Sequence, residues 1–219
     1  MLAIIDAMST VRINLRWTTG LSLALMAIVG GLAFTWLDVL HIVGDPVATS
    51  TAVQDNLSTL YIVFALWLVV ALLDIVVSAG LFFILRSINL YGITVAAGLR
   101  LFYTVFLSFA AIQLLFAASD SSNAIDYFEE FSRIWSLGLI IFGVHLVLLG
   151  IVDLKSVFLP RVINALLILA GVSYVVTHSV SNFPSLASID DYLPEFILAA
   201  SMITGELALA FWLLISSRF

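Results

Sequence analysis

The chain contains no cysteine. That excludes disulfides, thiolate metal sites, iron–sulfur clusters and cysteine nucleophiles. Charge is scarce as well, at 10% of 219 residues, where soluble domains carry about 25%. Lysine occurs once, at Lys155, and basic residues (8) are outnumbered by acidic ones (14). No basic face exists for phosphate contacts, so nucleic acid is not an expected partner. G-x-S-x-G, H-E-x-x-H, Walker and G-x-G-x-x-G patterns are all missing. No cofactor is expected, and a retinal Schiff base inside the membrane has no lysine to form on.

What the chain has is apolar length. It is 63% hydrophobic, with a mean hydropathy of +1.21. Six segments are long enough to cross roughly 30 Å of hydrocarbon at about 1.5 Å per residue. They are Thr19–Val43, Leu57–Leu85, Leu90–Ala118, Ile134–Val152, Arg161–His178 and Leu193–Ser216. Barrel strands would be shorter and alternate in polarity. The fold class is therefore all-α: a single polytopic membrane bundle of six helices spanning residues 1–219. The turns carry ordinary punctuation, such as Gly44-Asp45-Pro46 after the first span and Pro160 opening the fifth.

Arg12 and Arg16, Arg86, Lys155 and Arg161, and Arg218 all fall on one side of this topology. The other side carries Asp45, Asp55, Asp120, Asp126, Glu129, Glu130, Asp190 and Asp191, with Arg133 as the one exception. By the positive-inside rule both termini face the cytoplasm. The expected location is the plasma membrane of a prokaryote. Arg12 and Arg16 precede an apolar run too long for a signal-peptide core, so the first span is read as retained. Residues 1–18 form either an interfacial helix or an extension of that span.

Charges inside the spans are the main lead to function. A charge at the centre of a membrane helix costs about 2.5–3.5 kcal/mol on insertion scales, so it is seldom kept without a partner or a task. Asp74 and Glu206 each lie 12 residues before a cytoplasmic arginine, and Arg100 lies 14 after Arg86. Helical rise puts all three roughly 15–20 Å from the cytoplasmic edge. His145 lies at a similar, slightly more cytoplasmic level. Arg100 is expected to pair with Asp74, Glu206 or both, leaving an excess negative charge unless a carboxyl is protonated or His145 is charged. Such a centre suits proton coupling or a ligand, with Arg100 meeting an anionic or polar head group. The alternative is a buried clamp that fixes helix register. A catalytic reading has one route to a triad, Ser78, Asp74 and His145.

Asp38, His41 and His178 form a weaker set near the opposite surface. Asp/His groups of this kind can hold zinc, but snorkelling interfacial histidines explain them better, and no bound metal is expected. Small-residue stripes such as Ala200, Thr204 and Ala208 mark close helix packing and leave room for oligomers.

Three stretches resemble an uncharacterised multi-pass membrane family of bacteria and archaea, catalogued as domain of unknown function 4386. One holds Gly143, His145 and Gly150, then Ser156, Pro160 and Arg161, then Ala170, Gly171 and Tyr174. Another runs from Glu206 to Trp212, and the third is Gly98 to Arg100. The resemblance implies a multi-span fold and no particular activity. It includes Arg100, His145 and Glu206; Asp74 lies outside its motifs. The leading functional expectation is a protein that binds or transports a small or lipid-like ligand at the polar centre, with membrane lipids around it. The alternatives are an intramembrane enzyme on a lipid-like substrate and a structural or accessory membrane subunit.

Overall fold

The computed structural model describes residues 2–154, 158–183, 185–186 and 195–216, with side chains from Asn14 onward. Seven α-helices account for nearly all of it: α1 (Leu2–Leu40), α2 (Pro46–Asp55), α3 (Leu57–Leu85), α4 (Leu90–Ser119), α5 (Ala124–Asp153), α6 (Arg161–Asn182) and α7 (Glu195–Ile215). Six of them contain a stretch long and apolar enough to cross a membrane. No strand occurs among the described residues. Lys155, Asp190, Asp191 and Arg218 lie outside the described residues.

Three boundaries differ from the sequence expectation. The α1 backbone is continuous from Leu2, so no break separates the N-terminal segment from the first span. The loop after it contains a helix, α2, that apolar length alone does not reveal. Gly44 adopts a positive φ of 77°, Asp45 caps the helix by accepting from the Ala48 N–H at 2.9 Å, and Pro46 fits its first turn. Gln54 then donates to the Ser121 hydroxyl at 3.0 Å, tying α2 to the start of α5. Finally, α5 starts at Ala124, ten residues before Ile134. Its added turns carry Arg133, which makes a two-pronged contact with Glu130 at 2.6 and 2.7 Å. The one basic residue on the acidic side is thus locally neutralised.

The six long helices pack as a closed ring in the order α1, α3, α4, α5, α6, α7, with α7 returning to α1. Glycines set the tightest seams. A Cβ on Gly143 would lie 2.6 Å from the Gly171 carbonyl oxygen, so α5 and α6 touch backbone to backbone. At Gly20 a Cβ would sit 3.0 Å from the side chains of Leu213 and Leu214, which pins α1 to α7 at the basic end. At the same end, buried Asp153 accepts from the Leu159 N–H at 2.9 Å and from Asn164 Nδ2 at 3.1 Å, fastening the α5–α6 connection.

Candidate functional site

The ring brings Asp74, Arg100, His145 and Glu206 into one network. Arg100 and Asp74 have no exposed side-chain surface, His145 is 1% exposed, and Glu206 retains 19%. Arg100 Nε donates to Asp74 Oδ1 at 2.7 Å, and Nη2 lies 2.6 Å from the same oxygen. Its Nη1 donates to Glu206 Oε1 at 2.9 Å and faces His145 Nε2 at 3.4 Å. Nη2 also meets Met26 Sδ at 3.8 Å. The guanidinium carbon lies 5.1 Å from the centre of the Phe142 ring. A guanidinium has five N–H donors, and these five contacts occupy them. Arg100 is therefore fully committed to the protein. The Arg100 side chain has no exposed surface, while the Glu206 carboxyl lies partly exposed on a cavity.

Second contacts hold the network rigid. The Thr104 hydroxyl lies 3.1 Å from Asp74 Oδ2 and 3.0 Å from the Arg100 carbonyl oxygen, so both Asp74 oxygens are engaged. His145 Nδ1 donates to the Ala96 carbonyl at 2.8 Å. That fixes the tautomer and leaves the Nε2 lone pair toward the Arg100 N–H, so the imidazole is neutral. One guanidinium and two carboxylates remain. The excess negative charge calls for a proton or a cation.

Glu206 is where that excess reaches open space. Its Oε2 has no hydrogen-bond partner among the described residues. The carboxylate lines a cavity of about 470 Å³, within the roughly 300–1,000 Å³ of ligand sites. Asp74 and Thr35 also lie on the lining, Asp74 with its oxygens spent on Arg100 and Thr104; the remainder is mostly apolar and aromatic. Trp67 and Trp135 stand with ring centres 5.2 Å apart, and Phe142 lies 4.8 Å from Tyr103 and 5.3 Å from Tyr174. Trp135 Nε1 donates to the Tyr103 hydroxyl at 3.2 Å, which locks that wall. The α1 side mixes Ala27, Gly30 and Gly31 with the larger Leu23, Met26 and Phe34.

The triad route is not assembled. Ser78 donates to the Ala97 carbonyl at 3.0 Å, Asp74 is committed to Arg100 and Thr104, and His145 to Ala96. The Asp38, His41 and His178 set does not gather either. Among the described residues no group of three His, Asp or Glu side chains is placed to hold a metal. His41 packs on Phe128, with ring centres 5.3 Å apart. Burial holds its pKa below the ordinary histidine value, against the opposing pull of Glu129 and Asp38. His178 Nδ1 instead shares a hydrogen bond of 2.8 Å with the Ser136 hydroxyl, to which Asn182 donates at 2.7 Å. Spacing alone did not reveal this trio. Its only sequence signal is the His178–Asn182 separation of one helical turn.

Comparison with known proteins agrees with this architecture. The profile of a family described as Domain of unknown function (DUF4386) matches residues 18–216. An uncharacterized protein of Archaeoglobus fulgidus is 28% identical over 160 residues, covering 73% of this chain and 86% of the relative. No solved structure matches. The match takes in all six apolar helices and every member of the buried network, and the chain belongs to the DUF4386 family.

Proposed function

We propose that this protein binds a small or lipid-like amphiphile in the central cavity, with the polar part of the ligand at Glu206 and the apolar part along the aromatic wall. The observation that carries this reading is the partial exposure of Glu206 to a cavity of ligand size. A clamp alone accounts for Arg100, Asp74 and His145, whose polar atoms are all engaged within the protein. It does not account for an open carboxylate oxygen at the bottom of a roughly 470 Å³ space. In this reading the protein lies in the plasma membrane of a prokaryote with both termini cytoplasmic, and Glu206 sits near mid-bilayer. Ligand binding, alone or as a step of transport, is the activity assigned.

A ligand that binds only the folded state raises the melting temperature by mass action, with about 2.7 kcal/mol of stabilisation at 100 times its dissociation constant. Lipids, short carboxylic acids and amphiphiles would be screened by thermal shift against wild type and Glu206→Gln. At least one amphiphile is expected to stabilise wild type and to act more weakly on the variant. Equal shifts in both proteins would place the site elsewhere. No shift from any compound would leave the network as a structural clamp.

A further inference from the structure

The cavity has a mouth, and its position bears on where a ligand comes from. At the basic end α1 and α7 are in tight contact, because Gly20 abuts Leu213, Leu214 and the Ala210 carbonyl. Toward the acidic end the α1 glycines meet no α7 atom. A Cβ on Gly31 would meet nothing within 4 Å, and one on Gly30 would reach only Val70 of α3. Ala27, Gly31 and Phe34 of α1 and Ile203 and Leu207 of α7 all line the cavity, and all are exposed. Phe34 is 50% exposed and Ile203 61%. Residues that line a cavity and also face outward mark its opening. The opening lies between two membrane-spanning helices, so it faces lipid.

The chemistry inside the mouth selects charge. The acidic group exposed to the cavity is the Glu206 carboxyl, in a network whose two carboxyl groups outnumber its one guanidinium, so that a proton or a cation must balance it. The walls are the faces and edges of Trp67, Tyr103, Trp135, Phe142 and Tyr174. A carboxylate beside a cluster of tilted and edge-to-face aromatic rings is an arrangement that recognises ammonium groups, through ion pairing and cation–π attraction. An anionic head group would meet a like charge, since every Arg100 donor is engaged inside the protein.

We infer that the ligand is a lipophilic ammonium compound that enters sideways from the bilayer between α1 and α7 and lodges its cation against Glu206. This rests on the ligand-binding reading above and adds to it the head-group charge and the route.

The test uses the full chain in maltoside micelles with 12-bromododecyl-trimethylammonium as probe. Bromine at the tail quenches nearby tryptophans, and Trp67 and Trp135 stand on the cavity wall. Saturable quenching is expected in wild type. Glu206→Gln should weaken it at least tenfold. Gly31→Phe fills the mouth without a clash at its Cβ; it should slow association at least tenfold in stopped-flow mixing. Trp135→Leu opens the aromatic wall and should weaken binding even if Glu206→Gln fails to fold. Equal binding of 12-bromododecanoate, or unchanged affinity in both Glu206→Gln and Trp135→Leu, overturns the cation assignment while ligand binding stands. An unchanged association rate in Gly31→Phe overturns lateral entry. If amphiphiles of neither charge bind, the ligand-binding reading fails with it.

Discussion

Removing the charge of Arg100 should be worse for this protein than removing the whole charged cluster. In Arg100→Met a side chain of similar length remains but both carboxylates lose their counter-charge. Asp74 is then left wholly buried, with the Thr104 hydroxyl as its remaining hydrogen-bond partner among the described residues. Breaking a buried pair by removing one member costs about 3–5 kcal/mol, because the other charge stays buried and uncompensated. A chain of 150–250 residues loses about 2–4 °C of melting temperature per kcal/mol, so the expected drop is roughly 6–20 °C. Replacing Arg100, Asp74 and Glu206 together by Met, Leu and Met strands no charge. Exchange of a complete buried ion cluster for apolar residues of similar volume is often neutral or stabilising. The triple variant should therefore recover most of the loss. Melting curves of wild type, single and triple variants in one detergent provide the comparison. A triple variant that melts at or below Arg100→Met would refute the reasoning and show that the shape of the cluster, not its charge balance, supports the bundle.

Other outcomes follow from the same structure. Gly171→Ala should cost about 1–3 kcal/mol by overpacking, seen as a lower melting temperature. Its Cβ would lie 2.5 Å from the Gly143 carbonyl oxygen, and backbone cannot move aside cheaply. His41 should make the protein less stable in acid. Its folded pKa lies below the ordinary 6.5, so the unfolded chain binds the proton first, and stability is lost as pH falls from about 6.5 toward the folded value. His41→Gln should flatten that part of the pH–melting profile, and an unaltered profile would remove His41 as its source. Cysteines placed singly at Ser50 or Ser188 of this cysteine-free chain should react with impermeant maleimide from outside the cell; labelling only from the cytoplasmic side would invert the topology.

Much of the bundle is legible in the sequence because membrane spans answer to one rule, apolar length. The same regularity makes depth readable. At a fixed rise per residue, Asp74, Arg100 and Glu206 could be placed at one level before their contacts were known. Helix rotation and tilt are not readable in that way. That Glu206 keeps an exposed oxygen while Asp74 has both oxygens engaged depends on which way each helix is turned in the bundle. α2 escaped notice because a ten-residue helix with a polar face has no long apolar run, although Asp45 and Pro46 announce its start. The early start of α5 was hidden by Asp126, Glu129, Glu130 and Arg133, which end an apolar pattern without ending a helix. Asp153 reads as a loop residue by position. It is buried because the chain doubles back over it, giving it Leu159 and Asn164 as partners.

The order of the ring also bears on how the protein is made. Asp74 and Arg100 lie on successive spans separated by a short turn, so this hairpin can enter the bilayer with its opposite charges already matched. Glu206 is 106 residues further along than Arg100, on the sixth of these spans, which leaves the ribosome after the other five. Until it arrives, α1 has no α7 to close against, and the unfinished bundle presents Arg100 Nη1 and the neighbouring His145 to whatever surrounds it. Insertion of α7 is thus the step that both closes the ring and supplies the second carboxylate. A chain truncated before Glu206 would give a quality-control protease a half-neutralised arginine in an open seam.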